Sequence, residues 1–309
     1  MEQLTWGILL AAYLFVGGMA GGAFIVGALA DILGKDKWKV LSKSGIYVSL
    51  PCIIFGLVFL ILDLGRFEVA PLSPLNAYIN FPASIMSVGT WIITAFTAVS
   101  LVTAILYFFE GHAIIRKLFE VVGFVLGGST AAYTGVLLSF ARGRPFWVSP
   151  YLPWLFIISG TLTGLAMALF LIPIIAVFMP RFFEDFKNLF DKRTEYVSML
   201  GETDKYLTIL GIIEICLIVL FIGTAPGGSF LMTGPLSLWF YAYLILGLIA
   251  PLGIGYYIAK LDSARAHENL KTEGISSSMV LSSLGSFVLI LIGGFLLRYV
   301  VLVAGQIII

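Results

Sequence analysis

Tyr13 to Phe24 reads "YLFVGGMAGGAF", inside an apolar run from about Thr5 to Leu33. Gly17 with Gly21, and Gly18 with Gly22, form two overlapping GxxxG pairs. Such pairs present a helix face without side chains, onto which another helix can close. Gly160 and Gly164 repeat the pattern further on, so these glycines read as scaffold. The run itself exceeds the roughly 20 apolar residues that a bilayer span requires. Seven more runs qualify: Leu41–Leu64, Pro82–Phe109, Ile115–Ala141, Tyr151–Met179, Thr203–Ala225, Pro235–Leu261 and Ser278–Val303. The chain is therefore expected to be an all-α, polytopic bundle of eight transmembrane helices, one integral membrane domain over residues 1–309.

Composition agrees. The 309 residues are 60% hydrophobic and only 11% charged, against about 25% charged in a soluble domain. A net charge of +1 gives no basic field for nucleic acid. Met1-Glu2-Gln3 lacks the positive n-region of a signal peptide, and the run after it is too long for one, so it reads as a retained first helix. Cys52 and Cys216 lie in separate apolar segments, form no CxxC pair and read as small core residues.

Charge orients the bundle. The first, third, fifth and seventh connections carry Lys35, Lys37, Lys39, Lys43, Arg116, Lys117, Arg181, Lys187, Lys192, Arg193, Lys205, Lys260, Arg265 and Lys271. Those are fourteen of the eighteen basic residues. By the positive-inside rule that side is cytoplasmic, and both termini are external to the plasma membrane. The longest cytoplasmic connection, about Pro180 to Glu202, contains "RFFEDFKNLFDKRTEY" and reads as an interfacial helix. The external connections are poor in charge and rich in proline and aromatics. Phe146, Trp147 and Tyr78 suit an interface with a partner subunit.

Several side chains stand out. In "LDLGRF", Asp63 and Arg66 are three apart, on one helix face, and are expected to pair at the external end of the second helix. Tyr13 and Tyr133 each lie eight residues from an external helix end, about 12 Å deep. Arg142, Arg144 and Arg298 gather nearer the same face, where snorkelling arginines are common. Glu110 and Glu120 lie nearer the cytoplasmic ends and are expected to face solvent or headgroups. Glu214, in "ILGIIEICLIVL", stands near mid-membrane, where an ionisable group is by default a functional candidate. The competing reading is a neutral acid bonded to a neighbouring helix. Only His112 and His267 could serve haem, and both lie in cytoplasmic connections, so no haem and no metal site is expected.

"YLFVGGMAGGAF", "LDLGR", "PASIMSVGTW", "YTGVLLS" and "PFWVSPYLPWLFIISGTLTG" follow one another over residues 6–165. In this order they resemble the NrfD family, which includes the membrane subunit of polysulfide reductase. The resemblance implies eight or more helices without haem, and a quinone (menaquinone or ubiquinone type) bound near the external face as substrate. It also implies a ferredoxin-like iron–sulfur subunit and a molybdopterin-type catalytic subunit as partners. On it, Tyr133 of "YTG" is a quinone-binding residue. Tyr13 occupies a position where polysulfide reductase has histidine, and Asp63 and Arg66 match "LDLGR" beside the pocket, with Phe67 where proline is common. Glu214, with Gly211 leaving room for water three residues earlier, is then expected to relay protons between the cytoplasm and the quinone. A secondary transporter with Glu214 as coupling site, or a non-catalytic membrane anchor of a redox complex, are the alternative classes. No pair of Gly/Pro-broken helices at matching positions favours the transporter.

Overall fold

A computed structural model describes residues 6–34, 38–63, 73–141, 143–179, 181, 183–268 and 273–307. The helices are α1 (Ile8–Leu33), α2 (Lys39–Asp63), α3 (Ile85–Phe108), α4 (Ala113–Ser139), α5 (Leu152–Phe178), α6 (Glu184–Asp191) and α7 (Arg193–Thr224). After them come α8 (Phe230–Thr233), α9 (Ser237–Ala242), a π-helical segment (Tyr243–Ile249), α10 (Ala250–Glu268) and α11 (Glu273–Ile307). Eight of the described segments are long and apolar enough to cross a membrane, one for each expected run. Helices are the natural outcome, because a chain in hydrocarbon must satisfy its backbone hydrogen bonds within the segment.

Two expectations change in detail. The sixth span starts about ten residues earlier than expected, because α7 continues through the charged stretch Arg193–Glu202. The expected interfacial helix is α6, separated from α7 by Lys192 alone, with Phe186 buried and Lys43 of α2 paired to its Asp185. The seventh span is assembled from α9, the π-helical segment and α10 rather than one regular helix.

α1 is the most enclosed span, and it packs on α2, α4, α5 and α11. Its glycines explain why. A Cβ at Gly21 would fall 2.3 Å from the Gly127 carbonyl oxygen of α4, and one at Gly22 would fall 2.0 Å from that of Gly160 in α5. The scaffold reading of the GxxxG pairs is thus what the packing uses. Both chain ends meet at one end of the bundle, since the backbone N–H of Trp6 donates to Gln306 Oε1 and Gln306 Nε2 donates back to the Trp6 carbonyl, each at 3.0 Å.

The connection between α4 and α5 folds inward at this termini end. Trp147 is buried, stacks on Trp6 at 5.2 Å, and donates its indole N–H to the Val301 carbonyl at 2.8 Å. Phe146 is buried against Phe221, and Arg144 donates to the Gln306 carbonyl at 2.7 Å. The expectation that Phe146 and Trp147 form a docking surface is therefore corrected: they lock Trp6, α7 and α11 together. Tyr78 stays half-buried at the surface, bonded to Thr94 and edge-on to Trp91. Cys52 is a small core residue as expected, but Cys216 is exposed on the outer face of α7.

Overpacking a tight contact costs about 1–3 kcal/mol. Gly22→Ala should therefore lower the thermal unfolding midpoint of the detergent-solubilised protein. Gly223→Ala, where an added Cβ meets nothing within 4 Å, should leave it unchanged.

Candidate functional site

Two buried polar groups of residues lie against different faces of α1. The first is near the termini end. Tyr13 lies five residues into α1 and Tyr133 six residues from the end of α4, so each is about 8–9 Å from its helix terminus. The expected depth was slightly greater because the helices begin and end inside the expected runs. Both tyrosines are buried, and they are close enough to interact electrostatically. The Tyr13 ring packs on Gly17 of its own helix and on Gly56 of α2, at 3.6 and 3.7 Å from the Cβ positions. The Tyr133 ring lies flat against Gly89 of α3, where a Cβ would fall 1.7 Å from its Cζ. That explains the glycine of "SVGTW", a signal that sequence reading passed over.

Tyr13 Oη and Ser87 Oγ are buried and bond to nothing among the described residues. Buried polar atoms are nearly always paired, so the Tyr13 hydroxyl and that of Ser87, two residues before Gly89, are each open to a further hydrogen-bonding group. Asp63 lies seven residues beyond Gly56, on the same face of α2 and at its end, partly exposed. Arg66 lies outside the described residues, so the expected Asp63–Arg66 pair has no geometry here. The same holds for Arg142.

The second group sits deeper and gathers residues from four helical segments. Arg298 of α11 is fully buried, not snorkelling at the interface as expected. Its Nη1 donates to Ser159 Oγ of α5 at 2.5 Å and to the Gly294 carbonyl at 3.0 Å. Its guanidinium lies over the Phe156 ring at 5.2 Å, and Gly18 of α1 leaves it room, with Nη2 3.3 Å from the Cβ position. Glu214 of α7 is 1% exposed, attracts Arg298 electrostatically across Ser159, and accepts a 2.8 Å bond from the Tyr243 hydroxyl. Its other oxygen, Oε2, has no hydrogen-bond partner among the described residues. Tyr243 opens the π-helical segment, a distortion that often accompanies functional positions. Arg298 and Glu214 each lie about 14–15 Å from the termini end of their helices, which accounts for their pairing.

A third cluster stands at the opposite, basic end. Arg116 Nη2 donates to both Asp31 oxygens at 3.1 Å, and Arg116 Nε lies 3.3 Å from Glu120 Oε1. Tyr107 donates to the same Glu120 oxygen at 2.7 Å and is 2.5 Å from Ser42 Oγ. Glu120 is fully buried, so its expected headgroup position is corrected. The partners come from all of α1 to α4, which makes the cluster a staple of that half.

The molecule is thus an integral membrane helical bundle with buried ionisable and phenolic groups, a class that includes the membrane subunits of redox complexes. The family model described as "Polysulphide reductase, NrfD" matches residues 1–309, and the chain belongs to the NrfD family. It is 26% identical to the "Protein NrfD homolog" of Haemophilus influenzae over 98% of this chain and 95% of that protein. It is 29% identical to a polysulfide reductase subunit of Wolinella succinogenes, over 53% of this chain and 57% of that protein, a little over half its length. The "Hdr-like menaquinol oxidoreductase integral membrane subunit" of Archaeoglobus fulgidus is 28% identical over 54% of this chain and 42% of that protein.

Removing one partner of a buried charge pair costs about 3–5 kcal/mol. Arg298→Leu should therefore destabilise the protein strongly. Adding Glu214→Gln should restore part of the loss, and unfolding of both single variants and the double variant in detergent measures that coupling.

Proposed function

We propose that this chain is the quinone-reactive membrane subunit of a respiratory oxidoreductase complex. It passes electrons between the quinone pool and an iron–sulfur partner at the termini end. The observation that carries the reading is the paired phenols of Tyr13 and Tyr133. They are seated on Gly56 and Gly89, and the Tyr13 hydroxyl, like that of Ser87 two residues before Gly89, has no partner among the described residues. A quinone head group offers two carbonyl acceptors on an apolar ring, which suits that lining. The naming of one relative as a menaquinol oxidoreductase subunit supports a quinone of the menaquinone type.

On this reading the termini end faces outward and the lysine- and arginine-rich end faces the cytoplasm, following the positive-inside rule. Asp63 and Arg66 border the pocket where quinone enters from the outer leaflet. In this role the chain holds no redox centre of its own. Electrons pass between the quinone and a ferredoxin-like iron–sulfur subunit, which in turn serves a molybdopterin-type catalytic subunit. With Phe146 and Trp147 buried, that partner has to use other groups at the termini end, and the exposed Val148 and Trp154 lie close to them in sequence. Glu214, held by Tyr243 and facing Arg298 across Ser159, is the proton relay for the reaction.

Tyr133→Phe removes one hydroxyl and keeps the ring on Gly89. Losing one hydrogen bond of about 1 kcal/mol should reduce quinone turnover of the assembled complex about fivefold. Tyr13→Phe should do the same, while assembly persists in both. Unchanged quinone kinetics in both variants would take the tyrosines out of the site.

A further inference from the structure

Below Glu214, one face of α7 leads towards the basic end. Asp204 and Gly211 are seven residues apart, two turns on the same face, and Glu214 is three residues further on. Asp204 lies twenty residues from Thr224 at the termini end of α7, about 30 Å, one full hydrocarbon thickness. It therefore stands at the cytoplasmic boundary. Yet it is only 9% exposed, and no neighbouring charge or hydrogen bond offsets its burial among the described residues. Its carboxylate packs onto α10, where a Cβ at Gly255 would come within 2.8 Å of Oδ2. An acid that served only solubility would extend into water.

Beside Asp204, on the Gly211 face of α7 that leads towards Glu214, lies a cavity of about 10 Å³, the space of one water molecule. Asp204, Thr208, Gly211, Gly247 and Ser286 are among its lining residues. Gly211 is about 4.5 Å of helix rise below Glu214, whose Oε2 is the unpaired oxygen. Gly247 belongs to the π-helical segment that also carries Tyr243, so one distorted stretch both holds Glu214 and forms a wall of the cavity.

We propose that Asp204 is the group through which Glu214 exchanges protons with the cytoplasm, by way of a water in the cavity at Gly211. The proposal rests on the relay reading of Glu214 given above. During quinone reduction, Glu214 gives up its proton towards the quinone. A proton then leaves Asp204, crosses the water, and binds Glu214 Oε2, and Asp204 takes a replacement from cytoplasmic water. Two such transfers accompany the two electrons that the iron–sulfur partner delivers to each quinone. Quinol oxidation runs the same chain of transfers backwards and releases two protons to the cytoplasm.

The test uses the chain with its partner subunits in proteoliposomes and measures protons translocated per electron pair. Asp204→Asn, Gly211→Ala and Glu214→Gln should each lower that ratio at least twofold. Gly211→Ala removes no acid but fills the cavity, its Cβ meeting only the Leu252 side chain, nearest atom at 3.2 Å. Combining Asp204→Asn with Glu214→Gln should lower the ratio no further than either alone, because both act on one route. If Glu214→Gln lowers the ratio while Asp204→Asn and Gly211→Ala keep the parental value, Asp204 is not the exchanging group and the Glu214 relay stands. A parental ratio in Glu214→Gln overturns both. A second measurement needs no turnover: Thr208→Cys in a Cys52→Ala, Cys216→Ala background, exposed to a small charged methanethiosulfonate. Labelling from the cytoplasmic face alone is expected. Labelling from neither face, or only from outside, overturns the proposal.

Discussion

Everything in this bundle depends on how closely α1 approaches its neighbours. Between helices in lipid there is no hydrophobic drive, so association rests on van der Waals packing and on interhelical hydrogen bonds. Gly21 and Gly22 bring the α1 backbone against α4 and α5 at distances that no side chain would permit. That contact also places the two polar groups. Gly17 lies under Tyr13 on the side of α2, and the next residue, Gly18, leaves space for the Arg298 guanidinium. Two successive glycines thus set the wall between the tyrosines and the arginine.

Charge this deep has to be satisfied from within the protein. Arg298 meets that need with Ser159, two backbone carbonyls, an aromatic face and the carboxylate beyond Ser159. Glu214 accepts from Tyr243 on one oxygen and lies beside the Ser159 hydroxyl, while its Oε2, like Arg298 Nε, has no hydrogen bond of full geometry among the described residues. The Asp31–Arg116–Glu120 cluster reverses this emphasis, because Arg116 contacts both acids directly. A directly bridged cluster resists rearrangement. Glu120 also keeps one oxygen, Oε2, without a hydrogen bond among the described residues, so what sets Glu214 apart is that no ion pair among those residues holds it directly.

The number of spans and the use of the GxxxG glycines were legible because both rest on local composition: a long apolar run has to be a helix in lipid. The depth of Tyr13, Tyr133 and Glu214 in the membrane was legible from their positions along each helix. Depth says nothing of which way a residue faces, and there the reading failed. Arg298 and Glu120 looked interfacial because their distances from helix ends were compatible with snorkelling, yet both turn inward to partners on other helices. Trp147 looked like a docking residue because its loop is aromatic and uncharged, but the same properties suit a plug. Gly89 carried the one local signal that was missed, a glycine in a span with no GxxxG partner, which marks a place where something large must lie.

The division of residues between the two halves of the chain bears on mechanism. Tyr13, Gly56, Gly89 and Tyr133 all come from α1 to α4, whereas Ser159, Glu214, Tyr243 and Arg298 come from α5 onwards. On the proposed function, electron exchange has to occur near the end where a partner's redox centre can approach, and the proton route has to reach the other end of the membrane. One helix cannot easily do both, since the first task favours an open, ligand-sized space and the second a narrow, water-sized one. With α1 between them, each half keeps the packing its task requires. Gly17 and Gly18 bring the two groups to adjacent positions of α1, so on the proposed function a proton moving from Glu214 to the quinone crosses α1 beside the Arg298 guanidinium.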